Sequence, residues 1–105
     1  MDKLLMPMEF EDDRVFYMEI DPKLFLHEFS SIFYSNYKDI LGNRMQFIDA
    51  NENQVELMVK KENIFGYILA GFYNLVTLYG LEEGGWLKLV YVGEDIFVFS
   101  RLETT

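Results

Sequence analysis

Hydrophobic and polar positions alternate along much of this chain, with two breaks toward a helical period. From Gln54 to Lys60, Val55, Leu57 and Val59 face one way and Glu56, Met58 and Lys60 the other. A period of two marks a strand with one buried face. Arg44 to Asp49 reads the same way, with Met45 and Phe47 on one face. Ala50-Asn51-Glu52-Asn53 supplies turn residues between the two runs, which predicts a hairpin. Val15 to Ile20 is rich in β-branched and aromatic residues and predicts another strand. Trp86 to Val92 and Ile96 to Arg101 predict two more, joined by a hairpin turn at Gly93-Glu94-Asp95. Tyr67 to Leu69 is a short apolar run.

The helical period is clearest at Phe72, Leu75, Val76 and Tyr79, spaced i, i+3, i+4, i+7 within Ala70 to Tyr79. Gly80 then suits the left-handed residue that ends a helix. Asp21-Pro22 reads as a second helix start, because Asp caps free N–H groups and Pro is tolerated at the first helical position. A helix from there through Phe29 places Phe25 and Phe29 on one face. Ser30 to Lys38 mixes small polar and aromatic residues and fits a loop or a short helix. Glu9 to Arg14 is polar and acidic and reads as a loop. Short connections imply antiparallel pairing. The expectation is one α+β, mainly β domain over residues 1–105, with two short helices.

Composition narrows the function classes. Half the residues are hydrophobic and 17% aromatic, enough for a core without metals or disulfides. There are no cysteines, which removes disulfides, thiolate metal sites and a cysteine nucleophile, and fits a reducing compartment. No run approaches the roughly 20 apolar residues of a membrane span, so no membrane partner is expected. The start, Met1 to Pro7, lacks the features of a signal peptide. The net charge is -9. Such a surface repels phosphate backbones and anionic lipid, and favours basic partners.

Candidate chemistry is sparse. His27 is the single histidine, and no triad or metal spacing surrounds it, so a structural or surface role is expected. Asp12-Asp13, Glu82-Glu83 and Glu94-Asp95 fall in predicted turns and match no calcium loop. Gly84-Gly85 precedes a strand, not the helix of a phosphate loop. No catalytic residue, cofactor or metal site is expected. The basic residues are scattered, and Lys60-Lys61 is the sole adjacent pair, with Asn63 close behind. Lys and Asn suit phosphate and base contacts.

Longer stretches carry a resemblance. Leu69-Ala70-Gly71-Phe72-Tyr73-Asn74-Leu75-Val76, Leu81-Glu82-Glu83-Gly84-Gly85-Trp86-Leu87 and Tyr91-Val92-Gly93-Glu94-Asp95-Ile96-Phe97-Val98 are similar to the plant "B-three" DNA-binding domain. Upstream, Ile20-Asp21-Pro22-Lys23-Leu24-Phe25 resembles the family's Ile-Pro-x-x-Phe, with Asp21 inserted. The resemblance covers nearly the whole chain and implies an open pseudobarrel of about seven strands with two short helices at its ends. It implies a nuclear transcription regulator that grips the major groove with two loop arms. Mapped here, these are Glu9 to Arg14 and Lys60 to Gly66. Phe72 stands where the family has Trp, and Gly85 where it has Asp.

Two functions follow as expectations. In the first, Arg14, Lys60 and Lys61 contact phosphates of duplex DNA and Asn63 reads a base edge. In the second, the fold persists without DNA as an acidic module that binds a protein partner or a second copy of itself. The first arm argues for the second, because Glu9, Glu11, Asp12 and Asp13 oppose phosphate and Arg14 offsets one of them. An acidic inhibitor or DNA mimic is a weaker third reading. The core is expected to contain Phe72 and Trp86.

Overall fold

The computed structural model describes residues 12–24 and 26–102. Six strands form one sheet among them: β1 (Val15–Ile20), β2 (Arg44–Ile48), β3 (Gln54–Lys61), β4 (Gly66–Ala70), β5 (Gly85–Gly93) and β6 (Ile96–Arg101). Two helices interrupt them, α1 (Ser31–Tyr37) after β1 and α2 (Phe72–Tyr79) after β4. The sheet order is β1-β5-β6-β2-β3-β4. The architecture is the expected one, a mainly β, curled half-barrel with two short helices. It has six strands among the described residues where about seven were expected.

The alternation read from sequence decides which side chains enter the core. Phe16, Met18 and Ile20 of β1, Val55, Leu57 and Val59 of β3, Leu87, Leu89 and Tyr91 of β5, and Phe97 and Phe99 of β6 are buried together. Their intervening neighbours face solvent. Hairpin β2–β3 is antiparallel, with Phe47 opposite Val55, and β5–β6 is antiparallel, with Val90 opposite Val98. The exception is β2 against β6, which pair in parallel, Phe47 opposite Phe97. Mostly antiparallel pairing was expected, because short connections show only sequential neighbours. This contact joins strands far apart in the chain, which connection length cannot reveal.

Trp86 corrects another expectation. It lies on the outer face of β5, 44% exposed, opposite Glu19 of β1. Leu87 and Leu89 take the inward phase, so Trp86 must point out. Phe72 is partly buried, packed against the edge of the core and against the His27 ring at 4.5 Å.

The helix expected from Pro22 to Phe29 does not form. The Asp21 carboxylate accepts the Lys23 N–H (3.0 Å) and the Asp21 carbonyl accepts the Leu24 N–H (2.9 Å), closing a turn. The chain then runs extended: the Phe29 N–H donates to the Gly66 carbonyl and the Ile68 N–H to the His27 carbonyl. His27 and Phe29 are buried and Glu28 is exposed, a strand's alternation along the edge of β4. Bonds to a distant strand override a local cap signal. Phe25 lies outside the described residues.

Candidate nucleic-acid interface

Helix α1 and the Lys38 that follows it meet both Asp13 of the first expected arm and the loop Lys60 to Gly66 of the second. Ser30 caps it by accepting the Phe33 N–H at 3.3 Å. Its inner face plants Phe33 and Tyr34 in the core. Phe33 meets Phe16 at 4.8 Å and Tyr37 at 4.9 Å, ring centroid to ring centroid. The helix is therefore a fixed platform for what attaches to its outer side.

The first arm attaches through Asp13. Its carboxylate accepts from Asn36 Nδ2 at 2.9 Å and from the Tyr37 hydroxyl at 2.8 Å. Burial and then the bond to Asp13 push the Tyr37 phenol pKa up. Asp12 is turned onto Arg14. Arg14 Nε donates to Oδ1 at 3.0 Å, Nη2 to Oδ2 at 2.8 Å, and the Arg14 N–H also to Oδ1 at 3.0 Å. Hydrogen bonds from Arg14 hold the Asp12 carboxyl down at about 2 and raise the guanidinium pKa. Glu9, Phe10 and Glu11 of the expected arm lie outside the described residues.

The second arm attaches through its backbone. The Glu62 N–H donates to the Phe65 carbonyl at 2.8 Å, which closes the loop tightly. The Tyr34 hydroxyl donates to the Glu62 carbonyl and Lys38 Nζ to the Asn63 carbonyl, the latter at 2.9 Å. Gly66 fits under Tyr34, since an added Cβ there would stand 2.6 Å from its ring. Ile64 projects from the tip, 78% exposed.

The four residues singled out from sequence therefore fare differently. Arg14 and the Lys60 to Gly66 loop both gather around α1. The Arg14 guanidinium is forked by Asp12. Lys61 turns its ammonium into the end of α1, donating to the carbonyls of Lys38 and Leu41. Lys60 is exposed on the outer face of β3, and Asn63 is exposed in the loop. Lys38 was not anticipated. It directly follows α1, and nothing in the local pattern marks a lysine that clamps a loop from a distant part of the chain.

Two other chemistry-bearing residues bond within the fold, His27 and Asp95. His27 is buried, with Nε2 3.2 Å from the Asp21 N and 3.0 Å from the Asp21 O. Asp95 accepts the Gly42 N–H at 2.8 Å, and its carbonyl accepts the Gln46 N–H at 2.9 Å. Glu82 and Glu83 are exposed in a turn. No cluster of three or more His, Asp or Glu suited to a metal ion occurs among the described residues. No described helix is long and apolar enough to cross a membrane.

No protein-family model matches the chain, and no curated protein does. Among solved structures it is similar to that of a hypothetical Arabidopsis thaliana protein. The TM-score is 0.67 at 16% identity, over 91% of this chain and 98% of the other. The likeness is one of fold.

Proposed function

We propose that this domain is a divergent DNA-binding pseudobarrel of a plant nuclear transcription regulator, with a weak grip on duplex DNA. One observation carries the reading: α1 holds both arm segments, Asp13 on one side and the Asn63 loop on the other. Two loops fixed on one platform are what a two-armed grip on a groove requires. The resemblance in the C-terminal half supports the same reading. Lys60 is the phosphate contact and Asn63 the residue able to reach a base edge.

Electrostatics make the grip weak. Arg14 is neutralised in place and Lys61 is spent inside the fold, so few cations remain to displace counterions. Titration with random duplex DNA at low and moderate salt tests this. The expected salt slope has a magnitude of about 2 or less. Lys60→Ala should reduce binding further. Tight, steeply salt-dependent binding would show that the arm cations are free and the acids irrelevant. No binding to any duplex, including a library selected for affinity, would remove the DNA reading.

A second reading, a protein-interaction module, is favoured by a specific observation. The Arg14 and Lys61 head groups are committed while Ile32, Ile40 and Ile64 are 67%, 64% and 78% exposed. Exposed aliphatics close to acidic side chains suit a polypeptide better than a phosphate backbone.

A further inference from the structure

Asp12 and Asp13 of the first arm form one wall of a groove. Asp12, Asp13, Val15, Ser30, Ile32 and Phe33 line about 180 Å³ at the start of α1. Its apolar side is the half-buried Val15 at the head of β1 and Ile32, 67% exposed, with the buried Phe33 as its floor. Its lip is acidic, and the two carboxylates differ. Asp12 is matched by Arg14. Asp13 takes two neutral donors, Asn36 and Tyr37, which fix its direction without cancelling its charge. A carboxylate offers about four acceptor positions, so Asp13 can take a cation as well.

We propose that this groove docks a basic segment of a partner protein. The stem of a Lys or Arg side chain lies along Val15, Ile32 and Phe33, and its charged head reaches Asp13. Long basic side chains pair an apolar stem with a polar head, which matches this order of walls and lip. A net charge of -9 favours encounter with a basic polypeptide and opposes a second copy of this chain. Asp39 and the second arm's Glu62 add negative charge around the same helix. The inference goes beyond the DNA reading and stands whether or not duplex DNA binds.

The test is an NMR titration of the full chain with blocked octapeptides. One alternates leucine and arginine, one serine and arginine, and one leucine and glutamate. The leucine–arginine peptide should shift Asp13, Val15, Ile32 and Phe33 and bind most tightly. Asp13→Asn and Ile32→Ser should each weaken it about tenfold. Ile32 is exposed, so Ile32→Ser should leave the fold intact. Equal binding by the serine–arginine peptide would reduce the site to diffuse charge and overturn the proposal. So would shifts confined to other surfaces, or affinity unchanged by both substitutions. A duplex oligonucleotide titrated separately should touch Lys60 and Asn63. Shifts at Ile32 with DNA and none there with the leucine–arginine peptide would overturn the proposal. No shift anywhere with DNA would count against the DNA reading alone.

Discussion

The two helices are nearly equal in length and are held by different means. Helix α2 is framed by backbone conformation: Gly71 before it has φ 100° and Gly80 after it has φ 65°. An added Cβ on Gly71 would stand 2.7 Å from the Glu56 carbonyl, so glycine is required there. Its stripe of Leu75 and Val76 does the packing. Helix α1 is framed by side chains. Ser30 caps one end, the Lys61 ammonium meets carbonyls at the other, and Tyr34, Asn36 and Tyr37, with Lys38 just after the helix, tie it to two loops. Both helices meet distant residues, but α1 alone of the two is tied by its polar side chains and the following Lys38 to two separate loops. The helix that depends on others carries the candidate interface.

This contrast can be broken first at its apolar anchors. Phe33→Ala should cost about 3–5 kcal/mol and Leu75→Ala about 2–5 kcal/mol, both read from the shift in denaturation midpoint. In a marginal domain either loss unfolds much of the population. An unchanged midpoint for Phe33→Ala would mean that α1 is peripheral.

The polar ends separate the helices more sharply. Lys61→Met leaves carbonyls at the end of α1 without a donor and should cost about 1–3 kcal/mol. Arg101 donates to the Tyr79 carbonyl at the end of α2, but at an exposed site. Arg101→Met should change stability by about 0.5 kcal/mol or less. Equal effects of the two substitutions would erase the distinction between the helices. Ser30→Ala removes the α1 cap and should cost about 1 kcal/mol by the same measurement.

The smallest effect shows only in acid. The Asp49 carboxylate accepts hydrogen bonds from the Tyr79 hydroxyl at the end of α2, then from Asn53 and Asn51. These bonds favour its charged form and lower its pKa in the folded state. Burial and the same bond raise the Tyr79 phenol beyond its ordinary value. The stabilisation from Asp49 is therefore complete above the pKa of an unfolded aspartate, about 3.9. It is lost as pH falls through the lower folded value. Asp49→Asn should flatten the acid limb of a stability–pH curve. An unaltered limb would mean that other carboxylates carry it.

The same division explains what could be read from the sequence. Five of the strands and α2 were legible because their signals are periodic and local, Val55, Leu57 and Val59 in one case and Leu75 and Val76 in the other, whereas β4 showed only as a short apolar run. Helix α1 was ambiguous because its aromatics carry no clean period and its stabilising partners, Lys61 and Asp13, lie elsewhere in the chain. The expected helix at Pro22 failed for the converse reason. A genuine local signal at Asp21 built a turn, while Gly66 and Ile68 drew His27 and Phe29 into an extended line. At the candidate site, the resemblance named Glu9 to Arg14 and Lys60 to Gly66, but the commitment of Arg14 and Lys61 and the clamp by Lys38 depend on tertiary neighbours and left no local signal.

The parallel contact between β2 and β6 has a consequence for how the chain is made. On the ribosome, β2, β3 and β4 emerge consecutively and can zip together as they appear. Strand β1 emerges before them, but its partner is β5, with Val15 opposite Val90. The inner edge of β2 likewise waits for β6, with Ile48 opposite Val98. Until the last strands arrive, Phe16, Met18 and Ile20 have no sheet to join and remain accessible to chaperones. Such long-range closure also places refolding in the slower, millisecond-to-second range of small domains.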